Sequence, residues 1–176
     1  MTAMPTRAAS RTRVSLPRLR HRVLVAGDGR RPPLVLLHGF SGDSRSWSGL
    51  AQAWRRLARA EAIRLGLAKA GPSLIALDLP GHGRTPQPSL PEDREMAGVL
   101  QALDGSLEAL GLEQIHLLGY SMGGRVALSL ALRAPRRLRS LTLIGASPGI
   151  ADAAERAARA EADEAWAARL LAEGLP

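Results

Sequence analysis

Leu117-Leu118-Gly119-Tyr120-Ser121-Met122-Gly123-Gly124 is the stretch on which the fold turns. An apolar run ends in Gly-x-Ser-x-Gly and passes at once into residues 125–134, where Val126, Leu128, Leu130 and Ala131 continue a helical pattern until Pro135 stops it. Upstream, Gly111-Leu112-Glu113 reads as a turn and residues 115–118 as a short apolar strand. A serine on a sharp strand-to-helix turn has its hydroxyl pushed clear of the sheet and the next backbone N–H aimed at the helix mouth. In a chain with 18 Gly the five-residue pattern alone is weak. Strand, elbow and helix in succession make it informative.

On either side the alternation of strand and helix recurs. Residues 22–26 read as a first strand closed by the Gly27-Asp28-Gly29 turn. Pro32-Pro33 blocks helix and hands over to residues 34–37, a continuous apolar run of the kind buried on both faces of a parallel sheet. Trp47, Leu50, Trp54 and Leu57 recur at helical spacing, predicting a helix that extends through Ile63 and Leu67 towards Gly71-Pro72. Residues 73–77 form another strand, followed by the Gly- and Pro-rich loop from Asp78 to Thr85. Pro91-Glu92-Asp93 opens a helix with Met96, Val99, Leu100, Leu103, Leu107 and Leu110 on one sheet-facing stripe, and residues 138–144 supply a last strand. This order implies the α/β class: a mostly parallel sheet with helices on both faces and functional loops at the carboxyl ends of its strands. Residues 151–171 are rich in Ala, Glu and Arg, with little apolar bulk beyond Trp166, Leu170 and Leu171; they read as a surface helix or part of a lid.

At 176 residues the chain has room for one sizeable core and not two domains. No run approaches the roughly 18 apolar residues of a membrane span. Cys is absent, so neither disulfides nor thiolate metal sites exist, which is compatible with a reducing cytoplasm. Residues 1–31 hold eight Arg against the single acid Asp28, a net +7 out of the total +8, so the remainder is nearly neutral. That basic lead lacks aromatics for stacking on nucleic acid and an apolar core for secretion. It is expected to be a disordered start, with no nucleic-acid partner.

The pieces in order resemble the α/β-hydrolase superfamily: residues 34–40 with their His38-Gly39-Phe40, residues 78–85, the Gly-Tyr-Ser-Met-Gly-Gly elbow and residues 141–147. Finer text is similar to the 2-succinyl-6-hydroxy-2,4-cyclohexadiene-1-carboxylate synthase family of menaquinone biosynthesis. It comprises the elbow through Arg125, then Gly145-Ala146-Ser147-Pro148-Gly149, then residues 155–159 with Asp163 and Trp166. The resemblance implies residues 1–21 as a disordered basic segment, 22–145 as the N-terminal part of an α/β-hydrolase core and 146–176 as the start of a helical lid. It implies Ser121 as the catalytic residue, the backbone N–H groups of Phe40 and Met122 as the oxyanion hole, and Arg125 and Arg159 as ligands of substrate carboxylates. It also implies a small-molecule carboxylate substrate, and no cofactor or metal. Taken by itself each Arg would be a solvated surface residue.

His38 and His82 lie in Gly-rich loops, where a loop-stabilising hydrogen bond is the expected role. His116 lies in the strand before the elbow. In this superfamily the acid and then the His follow the Ser in the chain. No His follows Ser121, and Asp152 and Asp163 fall in the lid segment. The expectation is therefore a fold with its last strands missing, and a chain that is inactive by itself although its family is a carbon–oxygen lyase. The alternatives are an esterase with Ser121 as acyl nucleophile and a non-catalytic fragment; the oligomeric state stays open.

Overall fold

The computed structural model describes residues 18–174; the lead over residues 1–17 lies outside the described residues. Strands β1 (His21–Val25), β2 (Leu34–Leu37), β3 (Leu74–Leu77), β4 (Ile115–Tyr120) and β5 (Leu138–Ile144) form one sheet in the order β1-β3-β2-β4-β5. The last four are parallel to one another, and β1 runs antiparallel on β3. Helices α1 (Ser48–Leu65), α2 (Met96–Ala109), α3 (Met122–Arg133) and α4 (Ala153–Glu173) complete the alternation.

Because side chains alternate along a strand, the apolar run of β2 feeds two cores. Val35 and Leu37 pack with Leu100, Leu103 and Leu107 of α2, Leu117 of β4 and Val126 and Leu130 of α3. Leu36 points to the other face and joins Leu74, Ala76 and Ala51, with Trp47, Leu50 and Trp54 packed against them. Val35, Leu36 and Leu37 are fully buried, each contributing about 1.5–3 kcal/mol of apolar burial.

Three expectations need correction. The helix begun by Trp47 ends at Leu65, short of Leu67, and Leu57 and Ile63 on it are exposed. At 100° per residue, Ile63 lies about 160° around the helix from Trp47, on the solvent side. The helix expected from Pro91 is two elements, a single 3₁₀ turn Pro91–Arg94 and then α2, because Glu95 between them is extended; Met96 at the start of α2 is exposed. Finally, part of the lead expected to be disordered is anchored. Leu19 is buried, its N–H donates to Ser106 Oγ at 2.8 Å, and the Asp78 N–H donates to the Arg20 carbonyl at 2.8 Å.

β5 and α4 differ from this centre. Among the described residues β5 pairs only with β4, and Leu143 and Ile144 are exposed. α4 has an Asp152 N-cap on the Glu155 N–H but no buried residue. No described helix is long and apolar enough to cross a membrane, and no three His, Cys, Asp or Glu side chains among the described residues form a metal-holding group.

Candidate active site

β4 ends at Tyr120 and α3 begins at Met122, so the whole reversal of chain direction falls on Ser121. Its φ of 51° and ψ of −114° make it the one non-glycine residue with positive φ among those described. Such a conformation costs on the order of 1–3 kcal/mol and persists only where the surroundings impose it. Here they do: the Ser121 N–H donates to Ile144 O at 2.8 Å, and the Gly123 N–H donates to His38 O at 3.1 Å. Gly119 and Gly123 permit the close approach. A Cβ on Gly123 would strike the carbonyl oxygens of Leu37 and His38, and one on Gly119 would strike the Gly123 backbone.

The loop after β2 lies against this elbow. A Cβ on Gly39 would come within 3.5 Å of Ser121 Cβ and 2.9 Å of the Tyr120 ring, so Phe40 follows directly beside the serine. The Gly42 N–H donates to Gly39 O at 3.0 Å and closes residues 39–42 into a turn. Gly39 O also receives the His38 Nδ1–H at 2.8 Å, while His38 Nε2 accepts the Leu79 N–H at 3.0 Å. Those two partners fix the tautomer. Burial of the His38 ring pushes its pKa below the ordinary 6.5, which keeps it neutral in that role. In a trans peptide the C=O and N–H point in opposite directions. With Gly39 O held inward, the Phe40 N–H is turned outward. Neither it nor the Met122 N–H meets an acceptor among the described residues.

Asp78 ties the loops together from beneath. Its carboxylate accepts the Ser44 N–H at 2.7 Å and the Arg84 N–H at 3.1 Å, and its carbonyl accepts the Thr85 hydroxyl at 2.7 Å. Burial pushes its pKa up, but the N–H groups of Ser44 and Arg84 outweigh that and hold it below 3.8. Asp78 therefore holds the loops after β2 and β3 in one arrangement. Its role has no local signature, since Ser44 is 34 residues away.

Ser121, Met122 and Phe40 are thus brought together, and Arg125 lies in the first turn of α3 with its N–H on Ser121 O at 3.2 Å. Arg125 is exposed and forms no ion pair among the described residues. Arg159 sits on exposed α4, its Nε 2.8 Å from Asp163 Oδ1. The Ser121 hydroxyl has no hydrogen-bonding His or carboxylate among the described residues. His38 is engaged with Gly39 and Leu79, His82 with Pro80 and Phe40, and His116 with Ser140. Tyr120, half exposed beside Gly39 and Gly145, is a site-lining residue that sequence reasoning passed over. Its position next to Ser121 was the available signal.

A strained serine elbow between a parallel strand and a helix, with two N–H groups beside it that meet no acceptor among the described residues, points to a class, and the comparisons agree. The family model for the alpha/beta hydrolase fold matches residues 32–174, and the chain belongs to that family. It is similar to the 2-succinyl-6-hydroxy-2,4-cyclohexadiene-1-carboxylate synthase of Klebsiella pneumoniae subsp. pneumoniae, 38% identical over 144 residues, covering 82% of this chain and 50% of the relative. The synthase of the same description from Serratia proteamaculans is 35% identical over 155 residues, covering 88% and 54%. Among solved structures, MenH from S. aureus superposes with a TM-score of 0.67 at 30% identity, covering 87% of this chain and 51% of that one. The chain spans about half the length of the curated relatives it matches.

Proposed function

We propose that this chain carries the nucleophile half of a 2-succinyl-6-hydroxy-2,4-cyclohexadiene-1-carboxylate synthase site, a carbon–oxygen lyase that eliminates pyruvate. The observation behind this reading is the strained Ser121 with the unpaired Phe40 and Met122 N–H groups at its side, in a chain similar to synthases of that description. The substrate, 2-succinyl-5-enolpyruvyl-6-hydroxy-3-cyclohexene-1-carboxylate, has one ring double bond and the product has two. The elimination removes the proton at ring carbon 2, shifts the double bonds to 2,4 and breaks the carbon 5–oxygen bond. The departing enolpyruvate takes up a proton to become pyruvate. Ser121, once relieved of its own proton by a His and an acid, is the base. The charge that develops on the succinyl carbonyl oxygen falls between the Phe40 and Met122 N–H groups; losing one such donor typically costs about 10²- to 10³-fold in rate.

Arg125 and Arg159 supply cations for the substrate's carboxylates. Arg159 must first leave Asp163, an exposed pair worth under about 1 kcal/mol. No base faces Ser121 among the described residues, so the 176-residue chain alone is expected to keep only what binding and the N–H donors give, roughly 10³- to 10⁴-fold over water. The test is pyruvate release by purified chain, with and without Ser121→Ala. Turnover at several per second that disappears in Ser121→Ala would contradict the absence of a base. In a chain extended to its relatives' length, Arg125→Ala is expected to lower pyruvate release by about 2–3 kcal/mol while sparing cleavage of a small neutral ester. Equal damage to both would make Arg125 structural, and an ester preferred over the succinyl substrate would favour an esterase.

A further inference from the structure

The turn that presents the Phe40 N–H is held from two sides by two histidines. On one side His38 and the Gly42 N–H fix the Gly39 carbonyl. On the other, His82 reaches across 42 positions of sequence and places Nε2 2.7 Å from the Phe40 carbonyl. Its Nδ1 lies 2.9 Å from Pro80 O, within its own loop. The His82 ring leans on His38, centroids 5.0 Å apart, and meets the Phe40 ring edge-on at 6.0 Å. Phe40 is otherwise exposed, at 67% of its surface, so its apolar contacts do little to keep its backbone in place. Two successive peptides set the direction of the Phe40 N–H. His38 and Gly42 hold the one that contains it, and His82 holds the one that follows.

We infer that His82 is a positioning residue: its Nε2–H, donating to the Phe40 carbonyl, locks the 39–42 turn so that the Phe40 N–H stays aimed beside Ser121. The role rests on the reading of Phe40 as an oxyanion donor. Both neighbours of the ring are carbonyl oxygens, so either contact requires a proton on the nitrogen concerned. A ring with one proton serves one of them, and the contact to Phe40 is the shorter. His82 touches neither substrate nor reacting atoms in this role; it acts through the backbone of Phe40.

Two variants separate the contacts. In His82→Gln the amide nitrogen stands where Nε2 stood and still donates to Phe40 O. In His82→Asn it stands where Nδ1 stood and reaches only Pro80 O. The first readout is amide hydrogen exchange at Gly42, whose bond to Gly39 O exists only while the turn is closed, against Ser44 and Leu79 as internal references. His82→Asn is expected to speed Gly42 exchange about tenfold, the worth of one net hydrogen bond, leaving Ser44 and Leu79 unchanged, while His82→Gln stays near wild type. Equal acceleration in both variants, acceleration at all three amides, or none at Gly42, overturns the inference. The second readout is the rate at which a fluorophosphonate labels Ser121 in a chain extended to its relatives' length, where the serine has its base, followed by intact mass with Ser121→Ala as blank. Its phosphoryl oxygen needs the same N–H donors, so His82→Asn should label about tenfold more slowly and His82→Gln should restore the rate. If wild type is not labelled at all, the reading of the serine fails while Gly42 exchange still decides the role of His82.

Discussion

Strands β2 and β5 each end in two large aliphatic residues, Leu36-Leu37 and Leu143-Ile144, yet these meet opposite surroundings. Val35, Leu36 and Leu37 of β2 lose all their exposure, whereas Leu143 and Ile144 of β5 keep 38% and 45% of theirs. β2 has β3 on one side and β4 on the other, with helices over both faces, while β5 has a single neighbour among the described residues. A strand's letters say that it is apolar; its place in the sheet decides whether that apolarity is used. The same contrast separates α3, with five buried residues, from α4, with none. Ser121 straddles the two regions, since Gly123 hangs on His38 at the end of β2 and the Ser121 N–H hangs on Ile144 at the end of β5.

The largest expected effect comes from opening a cavity on each side of this contrast. Leu117→Ala, at a fully buried position, should lower unfolding free energy by about 2–5 kcal/mol, and Leu143→Ala by under about 1 kcal/mol. Denaturant titration of both variants measures this. Comparable losses would mean that β5 is covered in solution by something the structure does not contain. The open edge should also make the chain self-associate, and more so as salt screens its net +8 beyond about 8 Å at physiological strength. Light scattering at low and moderate salt checks that; a sharp monomer in both would show that the edge is protected.

Acid should act on the central region first. His38 has a depressed folded pKa, so below 6.5 the unfolded chain takes up a proton that the folded ring refuses, and stability falls with pH. Asp78 is likewise depressed; its contribution is present above 3.8 and is lost as pH falls further. Unfolding free energy from pH 8 down to pH 3 should therefore decline in two stages, the lower one reduced in Asp78→Asn, while Asp43, held low by the Arg45 side chain, and Asp28, held low by the Arg30 N–H, keep the rest of it. A flat profile between pH 7 and 5 would contradict the buried neutral His38. The smallest effect belongs to α4: breaking the exposed Arg159–Asp163 pair with Asp163→Ala should change stability by about 0.3–0.5 kcal/mol at most.

The fold was legible where residues make their own local case. β2 and β5 fall on the expected residues because Pro32-Pro33 and Pro135 punctuate them, β2 as an unbroken apolar run and β5 as Leu138, Leu141, Leu143 and Ile144 among polar residues. The elbow was legible because glycines must stand where backbones touch. What stayed hidden depends on partners far along the chain. Leu19 is anchored by Ser106 at 87 residues' separation, Asp78 serves two loops at once, and His82 finds Phe40 across 42 positions. The helix end was less legible, because the apolar Ile63 lies on the solvent side and Gly66, in the left-handed region, stops the helix before Leu67. For the candidate site, sequence supplied Ser121 and its neighbours by motif, while the two-histidine hold on the Phe40 turn needed coordinates.

Residue-resolved amide exchange over β2, β4, the elbow and α4 in one experiment tests most directly that Ser121 is held by a rigid centre beside an unsupported periphery. The expected result is slow exchange at Leu36, Leu117 and Gly123, and in α4 a rate within about tenfold of an unfolded chain. Protection of α4 equal to that of β4, or elbow amides exchanging as fast as α4, would contradict it.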